Sequence, residues 1–299
     1  KKVEENNFGI RKRLLEYDDV MNAQREVIYK RRKHALRGDR LKVDIANMLF
    51  EVCEEIAINN KQTDDFKNFE FEIISNFSIT APVLEDQFYS MTERELTDKL
   101  YETVHQYYQQ KTEINATLTF PVIKQVFENP NNKYEKIVVP FTDGTKTLNV
   151  VTHLETAYNT KGKNLIEDFE RNITLALIDE TWKNHLRKMD ELKQSVQLAV
   201  HEQKDPLLIY KFEAFELFSG MMGHLNKEVL SFLLKGSIPT NSNSGIQEAK
   251  RPSRREKLKT SKDDVLNTEE LAAKSRSIGA GAGQKSRPTI ETVVRDLPK

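Results

Sequence analysis

Two apolar stripes at helical spacing, separated by a single polar run, constrain this chain more than any other feature. The first carries Ile166, Phe169, Ile173, Leu177, Ile178, Trp182, Leu186, Met189, Leu192 and Val196. The second carries Leu208, Phe212, Phe215, Met222, Leu225, Val229 and Phe232. Steps of three and four put each set on one face of an α-helix. Between them His201, Glu202, Gln203, Lys204 and Asp205 are all polar. Asp205-Pro206 is a strong helix start, because Asp caps an orphan N–H and Pro at the first helical position has no donor to lose. Gly236 suits the stop. The pattern predicts a helical hairpin held by Trp182, Leu186, Met189, Phe212 and Phe215. Arms of roughly 25–28 residues at about 1.5 Å each reach about 40 Å. The turn, made of Ala199, Val200, His201, Glu202, Gln203 and Lys204, then sits at the far end of a long probe.

The rest of the chain reads as mainly α. Residues 1–50 repeat apolar positions at Phe8, Leu14, Leu15, Tyr17, Val20, Met21, Val27 and Ile28, with a break expected at Gly38-Asp39 and a new stripe from Leu41. Residues 61–130 read as shorter helices, with Phe66, Phe69, Phe71, Ile73, Ile74 and Phe77 as core and a helix from Asp86 to Gln110. One stretch changes period. "KIVVPFTDGTKTLNVV" predicts a small β-hairpin around Asp143-Gly144, the dipeptide favoured by a two-residue type I′ turn. Pro140 lacks an N–H, which predicts an edge strand. After Gly236 apolar residues thin out, and residues 237–299 are expected to be disordered, with a short helix near residues 263–274 as an exception.

Charge and motifs narrow the chemistry. Lys plus Arg and Asp plus Glu both number 46, yet the part from Gly236 onward holds 13 basic against 8 acidic residues. Its stretch from Lys250 to Lys262 is suited to a solvated linker or to weak contact with anionic lipid, and it lacks the interleaved aromatics of a nucleic-acid site. The only cysteine is Cys53, so no internal disulfide or Cys-based zinc site forms, which fits a reducing compartment. No apolar run matches a membrane span or a signal peptide. "GAGAGQKS" fails as a phosphate loop because Gln284 separates Gly283 from Lys285 and no strand precedes it. Glu102 and His105 form one i, i+3 pair where a carboxylate-bridged metal bundle needs two. No catalytic or metal-ligating residue is predicted, and no cofactor is expected in the chain. The first residue, Lys1, falls inside a charged helical pattern, which suggests a piece of a longer protein.

Two long stretches carry a family resemblance. "NFGIRKRLLEYDDVMNAQREVIY" resembles the start of the long scaffold helix of SecA, the ATPase motor of bacterial preprotein translocation; its motif residues here are Leu14, Leu15, Glu16, Tyr17, Asp18, Asp19 and Arg25. "LIDETWKNHLRKMDELKQSV" and "QKDPLLIYKFEAFELF" resemble the SecA two-helix finger. The resemblance implies a scaffold helix over residues 1–50, a helical wing over 51–165, a two-helix finger over 166–236 and a variable linker over 237–299. It further implies a finger tip touching the SecYEG channel and the unfolded preprotein, with His201 where the family often has Tyr. ATP and magnesium would belong to motor domains upstream, leaving this chain inactive alone. The location implied is cytoplasmic, peripheral at the inner face of the bacterial cell membrane. A stand-alone helical adaptor without ATPase activity is the alternative.

Overall fold

The computed structural model describes residues 2–129, 134–196, 205–239 and 247–248. Helix α1 (Lys2–Arg37) ends where the Gly38 N–H closes on the His34 carbonyl at 2.8 Å. Helix α2 (Leu41–Thr63) then runs unbroken through residue 50, where a boundary was expected. Leu41, Ile45, Met48, Leu49, Val52 and Ile56 form one buried stripe, so nothing interrupts the helix there, and the break falls at Gly38, as expected. Cys53 is fully buried on the same face, and burial pushes its thiol up to about 12.

Helix α3 (Phe66–Phe77) starts at Asp65, whose carboxylate accepts the Asn68 N–H at 2.9 Å. It buries Phe66, Phe69, Ile73 and Phe77, but Phe71 and Ile74, expected in the core, are exposed because they lie off that stripe. The single helix predicted from Asp86 to Gln110 is two, α4 (Glu85–Ser90) and α5 (Glu93–Phe127). A capping box separates them: Thr92 accepts the Glu95 N–H, and Glu95 reaches back to the Thr92 N–H at 2.9 Å. Helix α5 then continues past Gln110, taking Pro121 into its interior.

Strands β1 (Lys136–Thr142) and β2 (Thr147–His153) form the expected antiparallel hairpin, but Thr142 pairs with Thr147, which leaves a four-residue loop. Within it only Gly144 has positive φ, +94°. The Asp143 carboxylate accepts the N–H groups of Thr145 and Lys146 at 2.8 and 2.7 Å, building a local turn in place of a type I′ one. Strand β1 is central rather than an edge, in the order β2-β1-β3, with β3 spanning Gln247–Glu248. Pro140 is tolerated because, among the described residues, third-strand pairing touches β1 only at Ile137, Val138 and Thr142. Its missing N–H falls in the gap.

Helix α6 (Leu154–Asn159) leads into α7 (Lys163–Ser195), and α8 (Pro206–Lys235) returns. Asp205 caps α8 as predicted, accepting the Leu207 N–H at 3.0 Å. All of this lies within one compact unit, Lys1–Lys250. Its main core joins the C-terminal part of α1 to α2, α3, α5, the hairpin, α6 and the bases of α7 and α8. A smaller core, Met189, Leu192, Val196, Tyr210 and Ala214, packs with Tyr17, Val20 and Met21 where only α1, α7 and α8 meet. No described helix is long and apolar enough to cross a membrane.

Candidate functional site

Helix α1 lies along both arms of the α7/α8 hairpin, antiparallel to α7 and parallel to α8. The direction follows from its partners. Asp18 faces Lys193 at 4.0 Å, Gln24 meets His185, and Arg32 grips Asp179 with two bonds of 3.0 and 3.3 Å. On the other arm Tyr17 stands edge-on to Tyr210, with ring centroids 4.7 Å apart, and Arg31 donates to Asn226 at 2.8 Å.

Gln24 is the joint. Its stripe runs Tyr17, Val20, Met21, Gln24, Ile28, so the 3.6-residue period turns a polar side chain inward. It is 7% exposed. Its Nε2 donates to the Ala214 carbonyl at 3.0 Å, and its Oε1 lies 2.9 Å from His185 Nε2. Since the amide nitrogen is spent on Ala214, Oε1 is the acceptor and His185 carries its proton on Nε2. Among the described residues His185 Nδ1 is buried without a partner. Burial, and then the positive charge of Lys188, lower the His185 pKa to about 4, so the ring is neutral at pH 7. Trp182 and Phe218 flank it at 5.5 and 5.7 Å. One amide thus ties three helices at a buried position, with both of its polar ends hydrogen-bonded.

A second tie lies one level toward the main core. Asn226 accepts from Arg31 and donates to Glu51 at 2.6 Å, joining α1, α2 and α8. Burial lowers the Arg31 pKa, opposed by Glu51 and Asp44. Lys227 pairs with Glu55 at 2.7 Å, and His34 with Asp44 at 2.9 Å. Along the hairpin itself runs an acidic groove of about 940 Å³, with Glu180, Glu191, Glu213, Glu216 and Glu228 set against Arg187 and Lys188. Among the described residues no cluster of His, Cys, Asp and Glu is arranged to hold a metal ion. The arrangement is mechanical: it holds helices in register.

The structure brings only part of the predicted set together. Met189 is buried in the smaller core, Trp182 is half-buried against the main core, and Leu186 is half-buried. Phe212 and Phe215 do not pack between the arms: they are 66% and 70% exposed. Among the described residues three helices meet at that level, and α8 buries the narrow face of Tyr210 and Ala214 and turns both phenylalanines outward. Of the scaffold motif, Tyr17 packs inward and Glu16 is half-buried. Leu14, Leu15, Asp18 and Asp19 are exposed, and Arg25 donates to Asn22 on its own helix. Ala199, Val200, His201, Glu202, Gln203 and Lys204 lie outside the described residues, as does the tail expectation for 240–246 and 249–299. Sequence reasoning missed Gln24, His185 and Asn226. The available signal was a polar residue at an apolar-stripe position in each of the three helices.

The family described as the SecA wing and scaffold domain matches residues 1–237, which takes in all of α1 to α8. This chain belongs to that SecA family. Protein translocase subunit SecA of Christiangramia forsetii is 61% identical over 300 residues, covering 100% of this chain and 27% of that protein. The SecA subunit of Flavobacterium psychrophilum is 60% identical over 299 residues, covering 100% of this chain and 26% of its own length. That of Porphyromonas gingivalis is 42% identical over 298 residues, covering 95% and 27%. The SecA match extends through the joint and both hairpin arms, and the chain spans about 27% of the relatives' length.

Proposed function

We propose that this chain is the scaffold, wing and finger part of a SecA-type ATP-driven motor, and that it carries motion from motor domains to a polypeptide entering the SecYEG channel. The observation that carries the reading is the Gln24 joint, which fastens the long helix α1 to both arms of the hairpin. A displacement of α1 is then passed to the hairpin as a rigid body. In this reading α1 is the scaffold helix, α2 to α6 the wing, and α7 with α8 the finger, a division supported by the helix breaks at Gly38 and Gly162. ATP and magnesium are assigned to the remainder of the relatives' length. The finger tip, residues 199–204, is assigned to the preprotein and the channel. The protein works at the cytoplasmic face of the membrane, and the basic stretch from Lys250 adds weak attraction to anionic lipid.

The test uses the full-length protein with membrane vesicles carrying the channel. Gln24→Met should lower the amount of preprotein moved per ATP hydrolysed severalfold while ATP turnover persists. An unchanged ratio refutes the relay. At the tip, His201→Tyr should sustain transport and His201→Gly should impair it. Equal transport by the Gly variant removes the tip contact from the proposal. This chain alone should show no saturable ATP binding by calorimetry.

A further inference from the structure

A cavity of about 650 Å³ opens between α2, α5 and α7, separate from the joint. That volume lies within the range of small-molecule sites, roughly 300–1,000 Å³. Leu49, Ala116 and Ile166 supply apolar wall. Glu170 sits among its lining residues and is only 4% exposed. The Tyr108 hydroxyl donates to its Oε1 at 2.5 Å; among the described residues Oε2 accepts no hydrogen bond. Lys42, the cation whose charge reaches Glu170, is committed to Glu167 at 2.8 Å with its side chain 73% exposed. Glu170 is therefore a buried carboxylate with one neutral donor on Oε1 and, among the described residues, none on Oε2.

Such a group is costly unless a charged donor reaches it. Burial raises its pKa, opposed by the Tyr108 hydrogen bond and by Lys42. Lys161, Lys163 and Glu113 also line the cavity, but all three are exposed. Water screens their charges, whereas the field of Glu170 acts in a low-dielectric interior. The unsatisfied inner charge, more than the exposed residues, selects what enters.

We propose that this cavity binds a small organic cation, an amidinium, guanidinium or primary ammonium on a compact apolar body. The cationic head donates to Glu170 Oε2 and shares Oε1 with Tyr108, within the roughly four acceptor sites of a carboxylate. The body lies against Leu49, Ala116 and Ile166. A ligand held there bridges wing helices α2 and α5 to hairpin arm α7.

The test titrates the 299-residue chain with benzamidine, with its neutral counterpart benzamide, and with benzoate, following calorimetry and backbone amide shifts. Benzamidine should bind saturably, at least about tenfold tighter than benzamide, with shifts centred on Tyr108 and Glu170, and benzoate should not bind. Glu170→Gln, which still accepts the Tyr108 hydroxyl, should abolish the preference for benzamidine. Tyr108→Phe, which removes only the neutral donor, should keep it. Equal affinity for benzamide, shifts centred elsewhere, no benzamidine binding at millimolar concentration, or a preference that survives Glu170→Gln would each overturn the proposal. If Glu170→Gln fails to fold, the benzamidine–benzamide comparison on the unaltered chain still decides it.

Discussion

Replacing Gln24 by Met keeps the side chain's length and removes both polar ends. Two neutral hydrogen bonds disappear, at about 1 kcal/mol net each. The Ala214 carbonyl lies within α8 and keeps its place in the helical ladder. His185 is left worse off: among the described residues its Nδ1 already has no partner, and its Nε2–H loses the one it had. A stranded buried donor costs about 1–3 kcal/mol. The lost Ala214 bond, about 1 kcal/mol, and the stranded His185 donor, about 1–3 kcal/mol with its lost bond included, give an expected loss of about 2–4 kcal/mol, read from urea unfolding midpoints at constant slope. His185→Leu alone should also destabilise, because Gln24 Oε1 is then stranded. Together they should cost less than the sum, with a coupling of about 1–3 kcal/mol, since an apolar pair leaves nothing unsatisfied. A Gln24→Met loss under about 0.5 kcal/mol, or strict additivity, would refute the joint as an energetic unit.

Acid should expose the same histidine. His185 titrates near 4 when folded and near its ordinary 6.5 when unfolded. Between those values the unfolded chain binds the extra proton, so the contribution is intact above pH 6.5 and is lost as pH falls toward 4. The difference between the native and His185→Leu pH–stability curves should show a loss of roughly 1–3 kcal/mol over that window, and a flat difference would argue against it. Gly162 has φ +86°, and a Cβ there would stand 2.8 Å from the Ala116 carbonyl. Gly162→Ala should therefore lower stability by about 1–3 kcal/mol, measured by thermal unfolding. Trp182 is half-buried against the main core and beside His185, so Trp182→Ala should cost less than the roughly 3–5 kcal/mol of a buried Trp. A midpoint that does not move would make its exposed face the functional one.

Local chemistry was the most legible part of the sequence. The Asp205 cap and the break at Gly38 depend on residues within one turn, and both appear as read. Helical period was legible too, but not which flank of a stripe is covered. Phe212 and Phe215 look like core by residue type, yet at their level, among the described residues, α8 buries Tyr210 and Ala214 and leaves both phenylalanines exposed. Pro140 was read correctly as lacking a donor but assigned to an edge, because a third strand more than a hundred residues away leaves no local mark. Gln24 and His185 carry no local signal beyond a polar residue on an apolar stripe. Their pairing across 161 positions is visible only after the helices are assembled.

The burial of Cys53 has a practical corollary. At neutral pH a thiol whose pKa is pushed to about 12 holds almost no thiolate, and this one has no access to solvent. Maleimide dyes should pass it by. The chain is therefore a ready-made background for single-cysteine labelling, with a fluorophore at exposed Phe212 and another at exposed Leu15, and no need to disturb the α2 core first.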